Sequence, residues 1–157
     1  MLLLCALLGT SPEPAAAEPG MRLFLHFDAA TDALVLSLAN MGTEERTVDG
    51  RLALGPEGNK AVEVTIEIID DKGRRHPFAG KLKIGWPTAH DLVELSPDAT
   101  LGRVFRISWL SAAFNLKPNV QYRVRARYRG RYDGSAPQNR HVFRGMLTSP
   151  WVTFLTR

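Results

Sequence analysis

Cysteine is almost absent from this sequence, in which Cys5 is the only one. Cys5 lies in an apolar run at the start of the chain that we interpret below as a removable leader. A chain that begins after this leader contains no cysteine, which excludes a disulfide framework, a thiol nucleophile and a thiolate metal site. Such a domain must obtain its stability from the packing of its core.

A sustained helical period and an internal repeat are also missing. The apolar run at residues 1–8 is much shorter than the roughly 20 residues that a membrane-spanning helix needs. Short alternating segments separated by turn residues make up most of the remaining chain. Without the leader the chain has about 140 residues, which suits one domain. We therefore expect a single all-β domain over residues 18–157.

Motifs typical of catalysis or cofactor binding are not found. No Gly-x-Ser-x-Gly motif and no glycine-rich phosphate loop is present. Asp70 and Asp71 fit a turn better than a calcium site, and His90 with Asp91 fits a turn better than half of a catalytic dyad. The four histidines are scattered, without metal-ligand spacing: His26, His76, His90 and His141. We expect a non-enzymatic protein with no metal and no cofactor.

The start of the chain has features of a signal peptide. The apolar run at residues 1–8 is followed by Ala15, Ala16 and Ala17, which have the small-x-small form of a cleavage site. A mature chain that begins at Glu18 would be secreted or periplasmic. No Lys or Arg precedes the run, which leaves open a start further upstream. Lipid attachment at Cys5 is disfavoured because the preceding Leu4 is large.

The charge balance is mildly basic, with a formal net charge of +4. Residues 1–17 contain one acidic residue, Glu13, and no basic one, so their removal leaves +5. This excess is compatible with an anionic partner such as a cell-surface polymer. It is lower than a dedicated nucleic-acid-binding protein usually shows, and we expect no nucleic-acid partner.

Several segments alternate as half-buried strands do. Residues 21–27 and 33–38 are separated by a short loop and predict a hairpin. Residues 61–69 predict a further strand, with Glu63 on its solvent side, that ends in a tight turn. A return strand over residues 74–84 should follow, although its proline confines it to an edge or breaks it.

Later segments continue the β pattern. Residues 91–95 predict a short strand, and residues 151–155 a last strand beside the central one. One helical turn is expected at residues 111–114. Alternation over residues 104–109 predicts another strand, whose core-facing side chains are Phe105, Ile107 and Trp109.

The strand predicted at residues 121–128 gives the clearest evidence for the fold. One face of this strand is apolar and carries Tyr122, Val124, Ala126 and Tyr128. Its opposite face carries Arg123, Arg125 and Arg127. A strand with one dry and one basic side is typical of an antiparallel sheet that has one buried face.

The spacing of Leu116, Pro118, Tyr122, Val124 and Ala126 resembles the fibronectin type III domain and the wider immunoglobulin-like β-sandwich. This resemblance implies an antiparallel sandwich of about seven to nine strands. It also implies that the Tyr122 hydroxyl bonds a backbone group a few residues upstream. Because the family's cysteine pair and early-strand tryptophan have no counterparts here, only the architecture is carried over.

Two features are candidates for partner binding. The arginine row can hold an acidic surface, or it can be a solvated face that pairs in part with Glu63 and Glu67. Trp86, in a loop, can anchor a partner or cap one end of the core. The row comprises Arg123, Arg125, Arg127 and Arg129, with Arg131, Arg140 and Arg144 as extensions.

These observations favour a secreted or periplasmic binding or accessory module of the cell envelope. Its partner would be a protein or an anionic cell-surface polymer. The alternative is a peptidase inhibitor or a prodomain-like module, because small secreted sandwiches also serve in that role. A hydrolase assembled from separate acidic and histidine residues is the least favoured hypothesis.

The leader generates the first testable prediction. Signal peptidase should cleave after Ala17, since the small-x-small site follows an apolar run. Intact-mass measurement of the natively expressed protein should give a chain that begins at Glu18. A cytoplasmic protein that retains Met1 would contradict secretion.

Overall fold

The computed structural model describes residues 20–132 and 142–157. The predicted leader, Arg140 and His141 lie outside the described residues. Within them the chain forms ten β-strands, one α-helix and a short 3-10 turn, which confirms the all-β prediction. Among these residues, no helix has both the length and the apolar character required to cross a membrane.

The elements follow in chain order. The strands are β1 (Met21–Asp28), β2 (Ala33–Asn40), β3 (Arg46–Asp49), β4 (Val64–Asp70), β5 (Arg75–His76), β6 (Leu92–Leu95), β7 (Thr100–Arg106), β8 (Gln121–Arg129), β9 (Met146–Thr148) and β10 (Val152–Leu155), and the helix α1 is Ile107–Phe114. All strand pairs are antiparallel. One sheet has the order β1-β2-β7, a second has β10-β8-β4-β5 with β9 also on β8, and β3 pairs with β6.

The hairpin predicted near the start is confirmed. β1 pairs with β2 from Met21 opposite Asn40 to Asp28 opposite Ala33. Along β1 buried and exposed side chains alternate, because successive side chains of a strand point to opposite faces. The turn places Asp32 at φ 50°, a left-handed conformation that aspartate tolerates better than most residues.

The hairpin that begins with β4 is confirmed, but its return strand is shorter than predicted. The Asp70 carboxylate accepts N–H bonds from Lys72 at 3.0 Å and Arg74 at 2.9 Å, which closes the turn. Burial opposes ionisation, but these bonds and the Arg74 guanidinium lower the pKa of Asp70 to about 2. β5 ends at His76 because Pro77 has no N–H to donate to the ladder. Residues 77–88 form no regular structure.

The strand predicted over residues 104–109 ends at Arg106, where α1 begins. Phe105 and Ile107 are buried as predicted, but Trp109 is 41% exposed, so its assignment to the core was wrong. Side chains of a helix are about 100° apart, which directs a different set inward. That set is Ile107, Leu110, Ala113 and Phe114.

The buried faces of the two larger sheets and of α1 contribute to one hydrophobic core. Tyr122 is 1% exposed, and its ring lies 5.8 Å from that of Phe154 and 5.2 Å from that of His76. The Tyr122 hydroxyl accepts the backbone N–H of Lys117 at 2.9 Å, five residues upstream. Leu116 is also in the core. The predicted buried tyrosine with a bonded hydroxyl is therefore confirmed.

Two substitutions at Tyr122 test this corner. Tyr122→Phe should lower the free energy of unfolding by about 1 kcal/mol because it removes only the bond from Lys117. Tyr122→Ala should lower it by about 3–5 kcal/mol because it also empties the space of the ring. Chemical denaturation measures both values. Equal stability of both variants and the parent would contradict the core position of Tyr122.

Candidate functional site: the arginine face

The outer side of β8 carries the predicted arginine row, which we call the arginine face: Arg123, Arg125, Arg127 and Arg129. β8 lies inside its sheet, with β4 on one side and with β9 and β10 on the other. The four side chains are exposed or half-buried, whereas the residues between them are buried. The period-two prediction for both sides of this strand is therefore confirmed.

Glu67 is the acidic centre of this face. It lies opposite Arg125 on β4, and its Oε2 accepts the Arg125 guanidinium at 2.7 and 2.8 Å. The Arg127 guanidinium approaches the same oxygen at 3.4 Å, and Arg75 binds Oε1 at 2.9 Å. One carboxylate thus meets three guanidiniums. The exposed Glu57 adds a contact of 3.2 Å to Arg127.

Trp151 lies beside the arginine face, directly before β10. The guanidinium carbon of Arg125 is 4.6 Å from the centre of a Trp151 ring, and that of Arg123 is 5.6 Å away. A guanidinium over an aromatic face is attracted by the ring quadrupole. Sequence reasoning did not assign Trp151 to this site. The signal was its alternation with Thr153 and Leu155 on a strand predicted to pair with β8.

The far end of the arginine face has fewer acidic partners. A cavity of about 270 Å³ is lined there by Arg127, Arg129 and Arg131, and also by Glu57 and Glu63. Burial, and then the charge of Arg129, lower the pKa of Arg131, whose Nε donates to the Val62 carbonyl at 3.2 Å. Among the described residues, Arg129 forms no ion pair within 4.0 Å.

The other predicted candidate, Trp86, lies in the irregular segment 77–88. Its side chain is 59% exposed, so it does not cap the core. The neighbouring Gly85 carbonyl accepts an Arg51 N–H at 2.8 Å, which anchors this part of the segment. No ring contact or cation-π contact joins Trp86 to the arginine face within the described chain.

A buried charged cluster, Asp49, Arg51 and Glu63, adjoins the far end of the arginine face, where Glu63 also lines the cavity and its carbonyl accepts the Arg129 N–H at 2.8 Å. Glu63 is 1% exposed, so its predicted position on the solvent side was wrong. The reason is that residues 51–54 pack beside the start of β4 and cover it, with Leu54 bridged to Val64. Glu63 there accepts the Arg51 guanidinium and, at 2.8 Å, the Ala53 N–H.

Asp49 is fully buried in the same cluster. Burial, and then the nearby negative charge of Glu63, raise the pKa of the Asp49 carboxyl to about 7. Its Oδ1 lies 3.5 Å from Nε of Arg51, while its Oδ2 has no hydrogen-bond partner among the described residues. The Tyr128 hydroxyl accepts the Asp49 N–H at 3.0 Å and donates to its carbonyl at 3.2 Å. These contacts tie β3 to β8, which is a structural role.

Comparison with known proteins adds no family assignment. No protein-family model matches the chain, and no curated protein matches it. Within residues 20–132 and 142–157, no three His, Cys, Asp or Glu side chains gather as a metal site requires. The candidate site is therefore defined by the geometry of the arginine face.

The buried cluster predicts a specific pH dependence. The pKa of Asp49 is about 7 in the folded chain against an ordinary value of 3.8. An acid with a raised folded-state pKa binds more protons when folded, so it reduces stability as pH rises from about 4 to about 7. Asp49→Asn cannot titrate and should flatten this fall. The measurement is denaturant unfolding of parent and variant across that interval.

The matched control is Asp71→Asn, which changes an exposed carboxylate in the β4–β5 turn. This variant should keep the parent's slope of stability against pH. If the stability of Asp49→Asn changed with pH as steeply as that of the parent, this would contradict the burial of the Asp49 and Glu63 carboxylates in one cluster.

Proposed function

We propose that the protein is a secreted or periplasmic, non-enzymatic binding module of the cell envelope that holds an acidic partner on its arginine face. The observation that carries the proposal is the charge imbalance of that face. Four arginines of β8 and Arg75 share it, while the carboxylates in ion-pair contact with them in the described chain are Glu67 and Glu57. Carboxylates or phosphates of a partner would complete this pairing.

The arrangement of the arginines supports recognition by a prepared surface. Arg125 is held between the Glu67 carboxylate and the Trp151 ring, so little side-chain freedom remains to be lost on binding. Guanidiniums bind carboxylates and phosphates through paired N–H groups. Trp151, 37% exposed, adds a flat apolar surface on which a peptide or a sugar ring can pack. The partner is thus an acidic protein surface or an anionic cell-surface polymer.

The proposal includes an immunoglobulin-like β-sandwich as the scaffold. It is supported by two antiparallel sheets that share one core and by the bond from Lys117 to the Tyr122 hydroxyl. Such a scaffold holds surface residues rigidly because its strands are packed on one side. The arginine face lies on the exposed side of this kind of sheet.

The alternative proposal is inhibition of a peptidase. It is supported by the exposed, irregular segment 77–88, because an extended loop with an exposed Trp86 has a form that can enter an active-site cleft. Under this alternative, Trp86→Ala would abolish inhibition of a co-secreted peptidase. Charge reversal on the arginine face would leave inhibition unchanged.

Charge reversal tests the main proposal. Arg123→Glu combined with Arg127→Glu should cost about 1 kcal/mol of stability, since both side chains are partly exposed. Capture of the partner from the native envelope fraction should fall by about tenfold or more. Binding by the parent should also weaken as salt is added. Quantitative affinity capture with the mature chain as bait measures both effects.

The matched control is Arg22→Glu combined with Lys117→Glu, which makes the same change of net charge at exposed positions outside the arginine face. This control should keep full binding. Salt-insensitive capture that survives the Arg123 and Arg127 reversal would exclude the arginine face and move the site to the Trp86 segment.

A further inference from the structure

Strand β7 is an open edge of the β1-β2-β7 sheet. At the two ends of its ladder with β2, Asn40 donates to the Ala99 carbonyl and Ile107 donates to the Asp32 carbonyl, both at 3.0 Å. In an antiparallel ladder the directly bonded residues alternate, so the odd-numbered residues of β7 bond β2. The residues directed away from β2 are therefore Thr100, Gly102, Val104 and Arg106.

This edge lacks the usual protection against strand pairing. Natural edges are commonly blocked by proline, lysine or inward-pointing charges, and β7 contains neither proline nor lysine. Its exposed Arg103 is held to one side, because the guanidinium donates to the Arg51 and Leu52 carbonyls at 3.0 Å. The outward N–H and C=O groups of Thr100, Gly102 and Val104 have no protein partner in the described chain.

A shallow cavity of about 310 Å³ adjoins the open edge, between β7 and the first turn of α1. Val104 is 60% exposed and Trp109 is 41% exposed. Trp109 stacks on Phe105, with ring centres 6.1 Å apart, so the apolar surface of the cavity is fixed in position. A cavity of this size admits one medium-sized apolar side chain.

The positive charge of β7 and α1 favours an acidic partner. Residues 99–114 contain two arginines, Arg103 and Arg106, and no acidic residue. A second copy paired through its own β7 would bring these like charges together, which disfavours self-association. An acidic segment would instead be attracted to the edge.

We propose that β7 binds an extended segment of a partner protein as an added strand. The segment alternates acidic and apolar residues, with one apolar side chain in the cavity beside Trp109 and one carboxylate at Arg106. Backbone hydrogen bonds along the edge supply affinity, and the side chains supply selectivity. This site lies on a different sheet from the arginine face and does not rest on the function proposed for that face.

The test uses a blocked heptapeptide, Glu-Val-Glu-Val-Glu-Val-Glu, and the mature chain. Peptide binding should protect the backbone amides of Thr100, Gly102, Val104 and Arg106 from hydrogen exchange, as followed by NMR. The amides of Leu101, Arg103 and Phe105 should be protected with or without the peptide. A peptide with lysine in place of glutamate should bind at least about tenfold more weakly.

Two further peptides test the backbone pairing directly. N-methylation at alternate residues removes the N–H groups on one edge of the added strand. One of the two alternating N-methylated peptides should lose binding, and the other should retain it. Arg106→Glu should weaken binding by about tenfold, whereas Arg22→Glu on the opposite edge strand should leave it unchanged.

Three results would overturn the proposal. The first is the absence of peptide binding, and the second is equal binding of both N-methylated peptides. In the third, the edge amides become protected without peptide as the protein concentration rises. That result would identify a second copy of the chain as the occupant.

Discussion

The burial of one side of β8 is the constraint on which the rest of the structure depends. Each large side chain that is fully removed from water contributes roughly 1.5–3 kcal/mol, and Tyr122, Val124 and Tyr128 are all buried. Because a strand alternates, burial of these residues directs every intervening side chain outward. Those side chains are the arginines, so the core also determines the position of the charged surface.

The row of arginines carries a cost from repulsion, which its surroundings reduce. Glu67, placed opposite Arg125 by the β4–β8 register, neutralises the middle of the row, and Trp151 stabilises Arg123 and Arg125 by a different interaction. Toward Arg129 this compensation is weaker. The compensation of charge along the row is therefore uneven.

Polar groups are enclosed in one part of the molecule and exposed to solvent in another. Near β3 and β4, Asp49 and Glu63 are enclosed with Arg51, and burial and then the charge of Glu63 oppose the ionisation of Asp49. At β7 the backbone is open to solvent, and its polar groups are free to bond another strand. The backbone of the enclosed Asp49 ties β3 to β8, whereas the outer edge of β7 has no strand partner in the described chain.

Local pattern determined the all-β class, the first hairpin and both faces of β8, because each depends on neighbours within a few residues, whereas the Tyr122 bond was implied by the resemblance to the immunoglobulin-like sandwich. Tertiary packing decided what the pattern left ambiguous. Phe105, Ile107 and Trp109 alternate equally well in a strand, and only the start of α1 at Ile107 places Trp109 at the surface. Glu63 has the spacing of a solvent-facing residue, and only the segment that brings Arg51 over it makes it buried. Trp151 reaches the arginines through the pairing of β10 with β8, a contact between residues far apart in the chain, which periodicity within one segment does not encode.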